Sequence, residues 1–383
     1  MQNTLKKAAL VNKSQDLSSI KVGAHDEIFQ GRTPVLVGCD VESTYTYLLK
    51  QEEHRDTTAW RVRLLELTDQ GMDLDHTIAD GGKGLRSGQR EAWPDVPCRG
   101  DVFHPLYDIG KALRFLENRA EATVQAVKTL EAKMAKAKKK TQGTKYSKRL
   151  GNARVEAATA TQLKNDISTL SDWLKKDILS VSGPEISTRV ELINFVIKEL
   201  LSRESQSPHR IRPLRRLLEC QGEDLLRFVG DLDTELHNLA DSYGVELYLV
   251  REAFELEAFS SKGNLYWERF TALYSKIGTH FYNLQEDIQR LIEGTVRASS
   301  IVENINSRLR NYFFLRKTLG SGYLELLQFF LNHRRFMRSA KPKRIGKSPT
   351  ELLTGESHSH CLELLGYSMF KRLDSATETQ KAA

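Results

Sequence analysis

Three acidic residues stand where a carboxylate does little for packing. Asp26 lies inside a β-rich run, His25-Asp26-Glu27-Ile28-Phe29, with a Gln30-Gly31-Arg32 turn behind it. Asp80 ends the segment His76-Thr77-Ile78-Ala79-Asp80, and Gly81-Gly82 let the backbone open toward a ligand. Glu303 falls in Ser299–Arg310, which reads as a helix capped by serines. Glu303, Asn306 and Arg310 share one polar stripe of it, beside Ile301, Val302, Ile305 and Leu309. Carboxylates gathered at one place are hard oxygen ligands for Mg²⁺ or Mn²⁺. Two such ions serve an in-line phosphoryl displacement, one at the attacking oxygen and one at the leaving oxygen. Singly, each residue has a plainer reading: an acidic strand end, a turn Asp before Gly, a solvated helix face. Asp40 competes with Asp26, but it falls on the strand that merely pairs with the first.

The elements that must position these groups come in three parts. Residues 19–110 read as mixed α/β. Strands are expected around His25–Phe29, Thr33–Val41 and Thr44–Leu49, joined by short turns as an antiparallel meander. Asp56-Thr57-Thr58 cap a helix over Ala59–Gln70, with Trp60, Leu64, Leu65 and Leu67 inward and Gly71 as its stop. A strand over His76–Asp80, a helix over Gly84–Trp93 and a strand within Val96–Phe103 follow.

Proline then becomes sparse. None lies between Pro105 and Pro184, or between Pro213 and Pro342, and such stretches suit long helices. Helices are expected at 106–140, 150–180, 187–203, 222–240, 244–258 and 265–296, with breaks at Pro184, Pro208 and Pro213. Residues 299–355 return to a helix, a Gly320-Ser321-Gly322 turn, a helix over 323–337 and a short helix at Pro349–Leu353.

This order is that of an RNase H-like fold. The expected class is α/β plus an all-α insertion: a mixed sheet flanked by helices, interrupted by a large helical domain. The expected divisions are an N-terminal tail (1–18), the first part of the core (19–110), the insertion (111–298), the last part of the core (299–355) and a C-terminal tail (356–383).

Several motifs resemble the DDE transposases of bacterial insertion sequences, of the Mutator/hAT-like type. The second catalytic Asp of that family stands in an S/A-D-G-x-x-G-L context, matched by Ala79-Asp80-Gly81-Gly82-Lys83-Gly84-Leu85. A C/D-x-x-H motif follows, matched by Asp101-Val102-Phe103-His104. A helical insertion and a V-E-x-x-N-S-x-L-R helix complete the pattern, the latter at Val302–Arg310. The resemblance covers residues 20–355. It implies Asp26, Asp80 and Glu303 as ligands of two Mg²⁺ (or Mn²⁺) ions, with Asp101 and His104 supporting near the scissile phosphate. It implies an enzyme, a polynucleotidyl transferase that cleaves transposon ends and joins them to target DNA. It also implies a homo-oligomer, since two ends must be paired. Some 18 residues precede the first strand, fewer than the end-reading domain this family carries. The alternative is therefore a truncated, transposase-derived DNA-binding protein that no longer cuts.

Composition agrees with a polyanionic partner. Lys and Arg number 57 against 50 Asp and Glu, a net charge of +7. Eight of the basic residues crowd into Lys133–Arg149, among them Lys138, Lys139 and Lys140, which are candidates for DNA phosphates. His209–Arg216 holds a second cluster. Arg334, Arg335, Arg338, Lys343 and Arg344 form a third, and Arg310 joins it as a candidate for backbone contacts. Trp173 and the Tyr266-Trp267 pair are candidates for stacking on a base, though core packing is the commoner use. No apolar run reaches 18 residues, and no secretory signal opens the chain. Four scattered cysteines form no CxxC pair. The expected location is the bacterial cytoplasm, at the nucleoid.

Overall fold

The computed structural model describes residues 2–136, 140–297, 300–315 and 320–368. The chain forms two compact units, one of residues 1–98 and 299–383, the other of 99–298.

The first unit opens with a helix where a tail was expected. α1 (Gln2–Ser14) buries Ala8, and its stripe was too short and too polar to stand out in the sequence. The meander follows: β1 (Val22–Gln30), β2 (Thr33–Asp40) and β3 (Thr46–Gln51) pair antiparallel in succession. Gly31, in the left-handed region at φ 65°, makes the first turn. β1 and β2 are buried on both faces, so Val35-Leu36-Val37 reads as one apolar run rather than an alternation. α2 (Thr57–Thr68) begins at Asp56, whose carboxylate accepts from the Ala59 amide at 2.9 Å. Trp60, Leu64 and Leu67 face inward, but Leu65 is 44% exposed. At about 100° per residue Trp60, Leu64 and Leu67 fall on one stripe of the helix, and Leu65 points well away from it.

β4 (His76–Ala79) is the parallel partner of β1, with His25 opposite Ala79. α3 (Lys83–Ala92) lies against α2, and a side chain at its Gly88 would meet the Trp60 Cβ at 2.5 Å. β5 (Cys98–Gly100) completes a mixed five-stranded sheet in the order β3-β2-β1-β4-β5. The division between units falls within β5 rather than at residue 110, so Asp101 and His104 belong to the helical unit.

That helical unit holds seven of the described α-helices. α4 (Phe103–Ala135) and α5 (Lys140–Trp173) pack on each other, and α5 ends in a π-turn over Leu174–Ile178. α6 (Ile186–Arg203) supplies Arg189, a fully buried guanidinium. It donates to the carbonyls of Ile178, Ser180, Val181 and Pro184 just past the π-turn. α7 (Pro208–Tyr243) starts at Pro208 and, against expectation, runs straight through Pro213. Pro213 lies past the first turn, so the helix forgoes the bond that this position would make to the His209 carbonyl. α8 (Leu247–Leu256), α9 (Asn264–Ile277) and α10 (Phe281–Gly294) follow. The single helix expected over 265–296 is broken at Gly278, which adopts φ 73°. Val196, Leu200, Leu225, Phe228, Val250 and Phe281 anchor the core of this unit.

The chain then returns to the first unit. α11 (Ser300–Leu315) packs on β1 and β2. α12 (Ser321–His333) docks on β3 through buried amides. Asn332 Nδ2 donates to the Thr46 carbonyl at 2.9 Å and its Oδ1 accepts from the Thr46 amide at 2.8 Å. Gln328 donates to the carbonyls of Thr46 and Tyr47. α1 packs on the same helix, with Asn12 donating to the Glu325 carbonyl at 2.9 Å. α13 (Pro349–Thr354) carries a Ser348/Glu351 capping box, and a short α14 (Cys361–Leu364) follows. Among the described residues no helix is long and apolar enough to cross a membrane.

A buried polar contact organises the meander. Tyr47, on β3, lays its ring over Gly38 of β2, and its hydroxyl meets His25 Nε2 of β1 at 2.9 Å. Burial lowers His25 to a pKa of about 3, so the imidazole is neutral. A side chain at Gly38 would collide with the Tyr47 ring. Gly38→Ala is therefore expected to destabilise the fold by about 1–3 kcal/mol in urea denaturation. In a Tyr47→Ala background that added cost is expected to disappear.

Candidate metal centre

The pairing of β1 with β4 runs at a fixed offset. Val22, Gly23, Ala24 and His25 face His76, Thr77, Ile78 and Ala79 in turn. Continued by one residue, that register sets Asp80 beside Asp26. Their carboxylate oxygens lie within 4.8 Å of each other. Asp26 is 7% exposed, although β1 continues past it to Gln30. Asp80 stands just beyond the last residue of β4 and is half-buried.

Each carboxylate is held from its own side. Asp26 Oδ1 accepts from the Glu27 amide at 2.7 Å, and Oδ2 accepts from Asn306 Nδ2 of α11 at 2.5 Å. Asp80 Oδ1 accepts from the Gly82 amide at 2.9 Å, the Asx turn that the Asp-Gly-Gly sequence favours. Arg86 locks the strand behind it, donating to the carbonyls of Ala79, Asp80 and Cys98. Asp40 takes no part. Its carboxylate accepts from the Ser43 amide and hydroxyl and shapes the β2–β3 turn.

Glu303 comes to the same side of the sheet on α11, one turn before Asn306. It is half-buried, and its carboxylate lies 3.7 Å from Arg310. The polar stripe of Glu303, Asn306 and Arg310 is thus real, with Asn306 at its centre. Glu303 itself is not within 4.8 Å of both aspartates, as a third ligand of the same ion would be. Asp101 and His104 meet each other inside the helical unit, Oδ2 to Nε2 at 3.5 Å. Asp101 is buried and also accepts from the Phe103 amide at 2.8 Å, at the start of α4.

The basic candidates divide in two. Arg310, Arg334, Arg338 and Lys343 are exposed. Arg335, also exposed, and Arg344 are instead tied to other groups of the protein. Arg335 forks onto Glu351 with contacts of 3.1 and 2.5 Å. Arg344 is half-buried and donates to the Glu42 carbonyl at 2.6 Å, tying the segment after α12 to the β2–β3 turn. The expected helix over 323–337 ends at His333, so Arg334–Arg338 lie in irregular chain. Lys138 and Lys139 lie outside the described residues, as does the side chain of Lys140. Trp267 is 54% exposed and donates to the Ser261 carbonyl, while Tyr266 packs against the helical core.

One residue near the acidic edge had no signal in the sequence. Arg55 precedes the Asp56 cap and pairs with Glu27 at 2.7 Å. Glu27, and more weakly Asp80, hold its guanidinium above its usual pKa. No periodicity or motif marks a lone Arg in a loop.

No protein-family model matches the sequence, and no curated protein matches it.

Two expectations follow. Carboxylates within 4.8 Å repel when no cation lies between them. Asp80→Asn is therefore expected to raise stability in EDTA by about 1 kcal/mol, and to lose that advantage when Mg²⁺ is added. Glu351 gives the second, a dependence on pH. Burial pushes its pKa up, but Arg335 and the amides of Ser348 and His358 outweigh this and hold it at about 2, against 4.5 unperturbed. Its contribution is present above pH 4.5 and is lost as pH falls toward 2. Glu351→Gln is expected to remove that part of the acid transition in a pH-dependent melting series.

Proposed function

We propose that the α/β unit is an RNase H-like catalytic core and that the chain is a DDE-type DNA transposase acting on element ends and target DNA. The observation that carries this reading is the β1–β4 register, which sets Asp26 beside Asp80. The sheet order, three antiparallel strands followed by the parallel β4, supports it. So does the position of α11, which brings Glu303 and Asn306 toward β1.

The residues fit a Mg²⁺- or Mn²⁺-class ion. Asp26 and Asp80 offer hard oxygen donors at short separation, and Asn306 Oδ1 is a buried oxygen with no hydrogen-bond partner. Asp26 and Asp80 would hold the ion, which would supply Lewis acidity at the phosphate oxygens. A second ion would call on Glu303, released from Arg310. The chain's own part is orientation and charge. Asn306 and the Glu27 amide fix Asp26, while Arg55 and Arg310 offer guanidinium groups to phosphate beside the carboxylates.

The charge distribution supports a nucleic-acid partner. Lys133–Arg149 holds eight basic residues and no acidic one, against a net charge of +7 for the whole chain. The rest of the sequence is therefore slightly acidic, and the basic charge is concentrated in that one stretch.

A second reading rests on Glu303, which stands with Arg310 rather than with the aspartates. It is a DNA-binding protein derived from such an enzyme that no longer cuts. One assay separates the two. Supercoiled plasmid carrying the coding region with its native flanks is expected to be nicked in Mg²⁺ or Mn²⁺, and not in EDTA. Asp80→Ala is expected to cut about 100-fold less or worse. Wild-type protein that binds the plasmid but leaves it intact with both ions would favour the second reading.

A further inference from the structure

Asn306 is fully buried on α11, between Val302 and Leu309, where an amide has no packing advantage. Its Nδ2 reaches Asp26 Oδ2 at 2.5 Å. Its Oδ1 has no hydrogen-bond partner, although it is shielded from solvent. An acceptor left in that state is destabilising unless a ligand satisfies it. Turning the amide over would not help. Oδ1 would then face the Asp26 carboxylate, acceptor against acceptor. The observed orientation is the one that lets Asp26 Oδ2 accept, and it leaves a hard oxygen unsatisfied beside Asp26.

We propose that Asn306 is a positioning residue for a hydrated divalent cation held by Asp26 and Asp80. This rests on the cation reading above and adds a residue to it. Nδ2 fixes the Asp26 carboxylate so that its remaining lone pairs face Asp80. Oδ1 accepts a hydrogen bond from the hydration shell that a Mg²⁺-class ion keeps when only one or two carboxylates bind it. The amide is bifunctional, and this is why neither an apolar residue nor a second carboxylate serves at this position. A Leu would leave Asp26 free to rotate. An Asp would place a third negative charge against the pair. α11 thus contributes to the site through Asn306 as well as through Glu303.

The test reads cation binding rather than DNA cutting. Mn²⁺ is titrated into the full chain and followed by water-proton relaxation, with Mg²⁺ competition. Wild type is expected to bind at a site lost in Asp80→Asn. Asn306→Ala is expected to weaken that binding by about 10-fold or more while melting in EDTA stays cooperative. Asn304→Ala, on the exposed side of α11, is expected to leave it unchanged. If wild type binds no Mn²⁺, the cation reading fails and this inference with it. If wild type binds and Asn306→Ala binds equally well, the cation reading stands and the role given to Asn306 is wrong. Should Asn306→Ala fail to fold, the wild-type side-chain amide signals of Asn306 are followed by NMR as Mg²⁺ is added. They are expected to shift while those of Asn304 stay, and an unmoved Asn306 pair overturns the proposal.

Discussion

The parallel pairing of β1 with β4 is the constraint on which the rest depends. A slip of one residue would turn Asp80 to the other face of the sheet and separate it from Asp26. The register is guarded from both sides. Behind β1, the His25–Tyr47 contact and Gly38 tie it to the meander. Behind β4, Arg86 and the Thr77 hydrogen bond to Gln89 fix the strand against its own helix. Most of this reinforcement is polar and buried, where an unmade bond is costly, so it favours one register over its neighbours.

The sequence showed the α/β part more fully than the helical part, and the reason is physical. Strand runs such as Val35-Leu36-Val37 and turns such as Gln30-Gly31-Arg32 are decided locally. So is the Asp56 cap. Helix ends inside the all-α unit are decided by packing. Pro213 reads as a break, yet α7 passes through it, because the apolar face of Ile211, Leu214 and Leu218 packs continuously across the proline. α1 was missed because its apolar positions gain meaning only against α12. Leu65 was misplaced because a count of leucines ignores the angle between them.

The site shows the same division. The contexts of Asp26 and Asp80 were visible, since a carboxylate in an apolar strand and one before Gly-Gly both stand out. The stripe of Glu303, Asn306 and Arg310 was visible too, but not which member would touch Asp26. That depends on how α11 rolls on β1 and β2. Arg335 and Arg344 appeared as part of a basic patch, and only the fold reveals that Glu351 and the Glu42 carbonyl consume them. A run of like charge in sequence says nothing about which members are already spoken for.

The hydrogen bonds between Asn332 and Thr46 join residues 286 positions apart. A ribosome delivers β3 long before it delivers α12, and the whole helical unit emerges between the two. That unit is contiguous and rich in local contacts, so it can fold while the sheet still waits for its last helices. Until then β3 is without the amides that satisfy Thr46 and Tyr47, and Asp26 is without Asn306. The acidic pair therefore gains its final geometry only after the whole helical unit has been made. A nascent chain halted before α11 would carry both aspartates without the element that orders them.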